Sequence, residues 1–302
     1  MGKESEYSNS TLKEFQKKKS DLVARLAYDN QVDVILLQET HVKSEQDLLN
    51  RGTIKGFDIA GYIISPVYGI TTYVSDSLLD YDITYSDNSN DIFVINLLIG
   101  GLNVINIYKP PSIMWPVEVL PAPAHPCFLG GDFNSHHNQW GYARCDRNGD
   151  VLYDFFTSND LHIIFTAKDK PTFHSARWNT GTNPDLSVIS SSISNIARRA
   201  ILAQFPRSQH CPVLTDISLS IPIIESCPKN RWNFDKADWM KFQAELEHVI
   251  TFIPVKVGNY DRFCGLFLEA FAKNMSPVGI PGVMNFSVVM WKMKIWISVV
   301  NC

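Results

Sequence analysis

Five short stretches of this sequence set a carboxylate, an amide, an imidazole or a phenol at the start or end of an apolar run, where a rigid strand can present it. Glu39 closes the run Val32–Gln38 in Leu37-Gln38-Glu39-Thr40. A carboxylate at a strand tip is a hard oxygen ligand for a divalent cation, although a solvated loop charge is the plainer reading of one such residue. Phe128-Leu129-Gly130-Gly131-Asp132-Phe133-Asn134 runs an apolar strand into two glycines and then offers an acid and an amide two residues apart. Alternation puts Asp132 and Asn134 on one side if the chain stays extended; a simple Asx-turn is the alternative. His210 lies in Ser208-Gln209-His210-Cys211-Pro212-Val213, just ahead of a strand-like run, and Asp185 opens another in Asn183-Pro184-Asp185-Leu186-Ser187-Val188-Ile189. An acid so placed can orient a histidine through its Nδ1 proton, or merely cap a turn. In Asn106-Ile107-Tyr108-Lys109-Pro110-Pro111 a phenol leaves a strand beside a lysine and a stiff diproline.

These residues lie far apart in the chain, so many elements must carry them to one place. Leu12, Phe15, Leu22, Val23, Leu26 and Ala27 recur at helical spacing and lead into the Val32–Gln38 strand. Further strand-like runs lie at Phe57–Ile64, Ile70–Val74, Ile92–Ile99, Leu102–Tyr108, Cys127–Leu129, Leu161–Phe165, Leu186–Ile189 and Val213–Ile221. Many strands with few helices predict two packed sheets with helices outside. The 302 residues, 45% hydrophobic and 12% aromatic, are enough to fill such a core and exclude a chain that is mainly disordered.

Charge and cysteine usage narrow the function classes. A net charge of −4 rules out holding a polyanion by bulk charge, so any nucleic-acid contact must come from a local basic surface or bound cations. Six scattered cysteines without C-x-x-C spacing, and a polar, Lys-rich start from Met1 to Lys19, predict an intracellular protein with no secretion signal. The membrane-like stretch Val283–Val300 carries Lys292 and Lys294 near its middle. Each would cost about 2.5–3.5 kcal/mol at a bilayer centre, so no membrane span is expected.

A boundary is expected near Ile221–Lys229, giving a domain over residues 1–222 and a helical connector with an atypical C-terminal tail over 223–302. In the connector, Asp235 followed by Trp239, Phe242, Leu246, Val249 and Ile250 predicts a capped amphipathic helix, and Phe263, Leu266, Phe267, Ala270 and Phe271 a second. His136 and His137 adjoin the Gly-Asp-x-Asn turn, but neighbouring residues point apart and no Cys or His stands at ligand spacing nearby. Structural or DNA-facing roles suit them better than zinc.

The order of the five stretches, Glu after a strand, Tyr-x-Pro, Gly-Asp-x-Asn, Pro-Asp-Leu and Ser-x-His, resembles the endonuclease/exonuclease/phosphatase family over roughly Lys13 to Ile221. The chain is most similar to the endonuclease domains of jockey-like non-LTR retrotransposons. It shares Asn-x-Tyr-Lys-Pro-Pro-Ser at Asn106–Ser112, Gly-Gly-Asp-Phe-Asn-x-His-His-x-x-Trp-Gly at Gly130–Gly141, and Thr-Phe-x-Ser-x-Arg-Trp at Thr172–Trp178 with Pro184–Leu186 following. The resemblance implies a four-layered α/β sandwich, two packed central β-sheets flanked by helices, with a divalent-metal site at one sheet edge. Glu39 matches the metal-binding glutamate, with Mg²⁺ the implied ion and Mn²⁺ its substitute. Asp132 matches the acid that positions or deprotonates water, and Asn134 and Tyr108 match groups that hold the scissile phosphate. His210 matches the histidine facing the phosphate, and Asp185 the acid that orients it.

The implied activity is metal-dependent nicking of DNA for target-primed reverse transcription, with DNA as partner and nuclear access required. Element RNA would be met only through a polymerase domain, of which no Tyr-x-Asp-Asp motif appears before Cys302. The other readings are an inactive relic that at most binds nucleic acid, and a phosphomonoesterase of lipid or inositol headgroups. Three departures bear on the choice. The family opens with a buried strand carrying a site asparagine, whereas Met1–Thr11 has no apolar run, so the first strand is expected to be missing. Gln209 replaces the acid of Ser-Asp-His, which predicts weaker metal affinity. Lys109 follows Tyr108 where the wider family has an asparagine, which predicts phosphate attraction by lysine instead.

Overall fold

The computed structural model describes residues 19–204 except 79, 117, 119 and 121, together with 208–220, 231–232, 238–250, 260–274, 277–278 and 290–299. Two compact units are present, one formed by residues 1–221 with 290–302 and the other by residues 222–289.

The first unit is built on two six-stranded sheets. One contains β1 (Val34–Gln38), β2 (Phe57–Ile63), β3 (Ile70–Ser75), β12 (Ala197–Ile201), β13 (Val213–Ser220) and β16 (Met290–Val299), in the order β12-β13-β16-β1-β3-β2. The other contains β4 (Tyr81–Asp87), β5 (Phe93–Ile99), β6 (Leu102–Tyr108), β7 (Cys127–Asp132), β8 (Leu161–Ile163) and β11 (Asp185–Ser190), in the order β4-β5-β6-β7-β11-β8. The hairpin β9 (Phe173–Ser175) and β10 (Thr180–Thr182) stands beside them.

Strand alternation explains the layering. Val34, Leu36, Ile295 and Ile297 of one sheet meet Phe93, Ile95, Val104 and Phe128 of the other in the central core. The intervening residues turn outward. Ile35, Leu37 and Trp296 pack with Val23 and Ala27 of helix α1, residues 19–29. On the opposite outer face Ile105, Ile107, Leu129 and Val188 pack with Leu152 and Phe156 of α3 (Arg147–Ser158). The short α2 (Glu45–Arg51) is N-capped by Ser44, whose side chain accepts from the Asp47 N–H. The four expected layers, helix, sheet, sheet, helix, are present.

The second unit contains α4 (Trp239–Ile250), α5 (Tyr260–Asn274) and the short pair β14 (Arg231–Trp232) and β15 (Pro277–Val278). Phe242 and Phe267 meet edge to face across the two helices, and Asn274 donates to Glu245. Both helices lie where the sequence periodicity puts them, although the expected cap Asp235 is outside the described residues.

The fate of the C-terminal tail is corrected. Residues 290–299 are not an appendage of the connector but a full strand inside the first unit, parallel to β1 and antiparallel to β13. The place beside β1 and β13 is thus filled by a strand that follows the second unit in sequence. Within this strand Lys294 donates its Nζ to the Asn30 carbonyl and its backbone N–H to Asp33. No helix among the described residues is long and apolar enough to cross a membrane.

Candidate active site

Three of the sequence-predicted residues lie side by side by register alone. In the parallel pair β6–β7, Tyr108 stands opposite Asp132; in the antiparallel pair β7–β11, Asp132 stands opposite Asp185. A row of phenol, carboxylate and carboxylate thus crosses one sheet at a single level. The facing sheet supplies the other two, Glu39 immediately after β1 and His210 three residues before β13.

Side-chain contacts close the ring. His210 Nδ1 lies 2.9 and 3.1 Å from the two Asp185 carboxylate oxygens, and the Tyr108 hydroxyl donates to Glu39 Oε1 at 2.6 Å. Ligand atoms of Asp132, Asp185 and His210 lie within 4.8 Å of one another, all three residues buried. Asp132 Oδ1 accepts the Asn134 N–H at 3.1 Å, and the Asn134 amide donates one N–H to the Lys109 carbonyl at 3.0 Å. Asn134 and Glu39 both hold positive φ, 41° and 51°, a conformation that costs a non-glycine residue energy and marks a site where the surroundings impose it. Gly131 is required for a different reason: at φ 152° a Cβ would sit 1.8 Å from the Ile107 carbonyl oxygen of β6.

The electrostatics follow from placing two buried carboxylates, Asp132 and Asp185, and the half-buried Glu39 around one imidazole. Burial pushes the Asp132 carboxyl up to about 7, reinforced by the charges of Asp185 and Glu39 and opposed by His210. Burial works against a charged His210, but the carboxylate of Asp185, aided by Asp132 and Glu39, holds it up to about 9. The imidazolium is therefore the form next to the carboxylates at neutral pH. Burial, with the hydrogen bond to Glu39 next in weight, raises Tyr108 as well, so it stays a neutral donor.

This constellation fits a divalent cation. Glu39, Asp132 and Asp185 supply hard oxygen donors around a space where burial, reinforced by the neighbouring negative charges, keeps Asp132 partly protonated, a cost that a bound cation reduces. Gln209 is not among the ligands, for its Oε1 accepts the Ala176 N–H at 3.1 Å and its carbonyl accepts from His174. It fastens the β9–β10 hairpin to the histidine loop.

Two further expectations are altered by packing. Lys109 does not face a phosphate: it is fully buried and its ammonium donates to the carbonyls of Pro110 and Ile113, with burial lowering its pKa to about 8. Tyr108 likewise spends its proton on Glu39, so in this structure it orients that carboxylate. His136 stacks on Tyr142 at 4.2 Å and His137 on Tyr153 at 4.6 Å, in line with structural roles. Cys145 and Asp150 do approach His137, a proximity that spacing did not reveal. Yet His137 Nδ1 accepts the Gln139 N–H, so a neutral ring keeps its proton on Nε2 and has no lone pair for a metal.

Sequence reasoning missed several supporting residues. Arg199 is buried, pairs with Asp169 at 3.3 Å and donates to the Asp185 carbonyl at 2.9 Å. Phe173 meets the His210 ring edge-on at 4.8 Å, and Ser208 Oγ accepts the His210 N–H. Beneath Tyr108, Gln38 donates to Asn106 Oδ1 at 2.7 Å, and Asn106 donates to Thr72 Oγ1 at 3.0 Å, joining the sheets. Asn106, Gln38, Phe173 and Ser208 stand inside the motifs named above, whereas Arg199 lies in β12, which has no compact apolar run to mark it.

Two packed sheets bring an acid-rich cluster and an imidazolium together at one end. Residues 102–214, which include Tyr108, Asp132, Asn134, Asp185 and His210, match the family described as "Endonuclease-reverse transcriptase". Among solved structures, the endonuclease domain of TRAS1, a telomere-specific non-LTR retrotransposon, superposes with a TM-score of 0.53 at 19% identity, covering 68% of this chain and 94% of that one. An AP endonuclease from Archaeoglobus fulgidus aligns with a TM-score of 0.46 at 14% identity, over 64% of this chain and 91% of its own. No curated protein matches the chain.

Proposed function

We propose that this domain is a Mg²⁺-dependent phosphodiesterase that nicks one strand of DNA and leaves a 3′ hydroxyl to prime reverse transcription of a retrotransposon. The observation that carries the reading is the in-register row Tyr108–Asp132–Asp185 closed from the facing sheet by Glu39 and His210. Phosphodiester hydrolysis needs positive charge at the non-bridging oxygens, an aligned water and help for the leaving oxygen. His210, kept protonated by Asp185, offers a cation and an N–H through its second ring nitrogen. Asp132, poised near neutral pH, is suited to orient a water and accept its proton. Asn134 keeps one amide N–H beyond its bond to Lys109 for a phosphate oxygen. Glu39, oriented by Tyr108, would hold the ion. When bound, Mg²⁺ supplies Lewis-acid charge at the phosphate oxygens.

DNA as substrate is supported by the fold shared with the TRAS1 endonuclease domain and by the family match over the site residues. Access to nuclear DNA follows from that substrate. Purified protein should convert supercoiled plasmid to the open circle with Mg²⁺, and Asp132→Ala or His210→Ala should abolish the conversion. Absence of nicking at any metal concentration, or undiminished nicking by both variants, rejects the reading.

A further inference from the structure

We infer that the C-terminal strand β16 is a positioning element of the site, setting the separation between Glu39 and His210; its effect on nicking rests on the nuclease reading above. Glu39 follows β1 directly and His210 precedes β13, yet these two strands are not neighbours. β16 lies between them, pairing Gln38 with Val299 on one side and Val213 with Ile297 on the other. Adjacent strands stand about 4.8 Å apart, so this one strand holds its neighbours roughly 10 Å apart. If β1 and β13 closed directly on each other, Glu39 and His210 would approach by about 4.8 Å. A misplacement of about 1 Å already costs on the order of a hundredfold in rate. If they stayed apart, each would expose a row of unpaired backbone groups inside the sheet.

The rest of the domain is shaped to this strand. Met293, Ile295 and Ile297 enter the core between the sheets, while Trp296 packs outward with Val23 and Ala27. A Cβ on Gly130, the first glycine of the Gly-Gly-Asp turn, would sit 2.7 Å from Ile297 Cδ1. The motif glycine thus leaves the space that a side chain of the distant strand fills. Register is pinned at the entry to β1, where Asp33 accepts the Lys294 N–H at 2.8 Å and donates its own N–H to the Lys294 carbonyl at 2.9 Å. The whole second unit intervenes in sequence between β13 and β16, so a catalytic sheet begun near one terminus is completed from the other.

Hydrogen exchange on the full chain tests the placement. The amides of residues 293–298 are expected to exchange as slowly as those of Ile35–Leu37, and exchange at the rate of an unstructured peptide overturns the inference. A chain ending at residue 289 is expected to lose nicking by on the order of a hundredfold or more, and a synthetic peptide of residues 290–302 should bind it, raise its Tm and restore nicking. Full nicking by the shortened chain, or a Tm that the peptide leaves unchanged, also overturns it. Should the full chain nick no DNA at all, the exchange pattern and the peptide's effect on Tm still decide where the strand belongs, which separates failure of this inference from failure of the nuclease reading.

Discussion

Replacing Asp185 by Asn removes one negative charge from a buried imidazole while keeping the size and an amide oxygen to accept from it. His210 titrates near 9 rather than at its ordinary 6.5, and Asp185 is the main influence raising it, against burial that lowers it. A net difference of about 2.5 units corresponds to roughly 3 kcal/mol, which is what the neighbouring carboxylates, Asp185 first, supply beyond the opposing cost of burial. With the carboxylate gone, the pKa should fall by about 1–3 units, the share an adjacent opposite charge supplies. The sign for stability follows. A histidine raised in the folded state stabilises the fold fully below pH 6.5, and that contribution is lost as pH rises through about 9. Metal-free wild type should therefore lose stability between those limits in urea unfolding, and Asp185→Asn should flatten that part of the curve. The imidazole can be followed directly by NMR titration with His210→Gln as the assignment control. A His210 pKa that stays near 9 in Asp185→Asn would refute the electrostatic account of the pair.

The remaining predictions concern the same pocket and its supports. Asp132→Asn should reduce nicking by roughly 10²–10⁴-fold yet raise the Tm of the metal-free protein at pH 8: a carboxyl raised to about 7 costs stability as pH climbs from 3.8 through 7, and the amide does not ionise. A lowered Tm would show that the three carboxylates do not strain the apo fold. Lys109→Met should change Tm while leaving the salt dependence of DNA affinity as it was, since the ammonium contacts carbonyls; a slope smaller by about one would mean that it meets a phosphate after all.

The sequence by itself determined the parts. The runs ending at Gln38, Tyr108 and Leu129, and those beginning at Leu186 and Val213, are strands because compact apolar runs between glycines, prolines and polar turns have no other way to bury both faces, and each placed its site residue at a strand end. Glu39, Tyr108, Asp132, Asn134, Asp185 and His210 were legible for that reason. Short or amphipathic-poor elements were not: β4, β9, β10 and β12 carry exposed polar residues through much of their length, and α3 begins in a polar segment whose cap, Asp146, marks it only after folding.

Tertiary structure alone decided the partners. Whether a lysine beside a strand end meets phosphate or its own loop depends on which carbonyls surround it, and for Lys109 they are those of Pro110 and Ile113. Whether Gln209 serves the metal or the hairpin depends on the nearness of Ala176, a residue far away in sequence. Above all, a β-strand does not record which edge it will fill. Backbone hydrogen bonds are indifferent to sequence separation, so a lysine-bearing apolar tail that reads as foreign to the domain can pair between β1 and β13 and complete the sheet that holds the site.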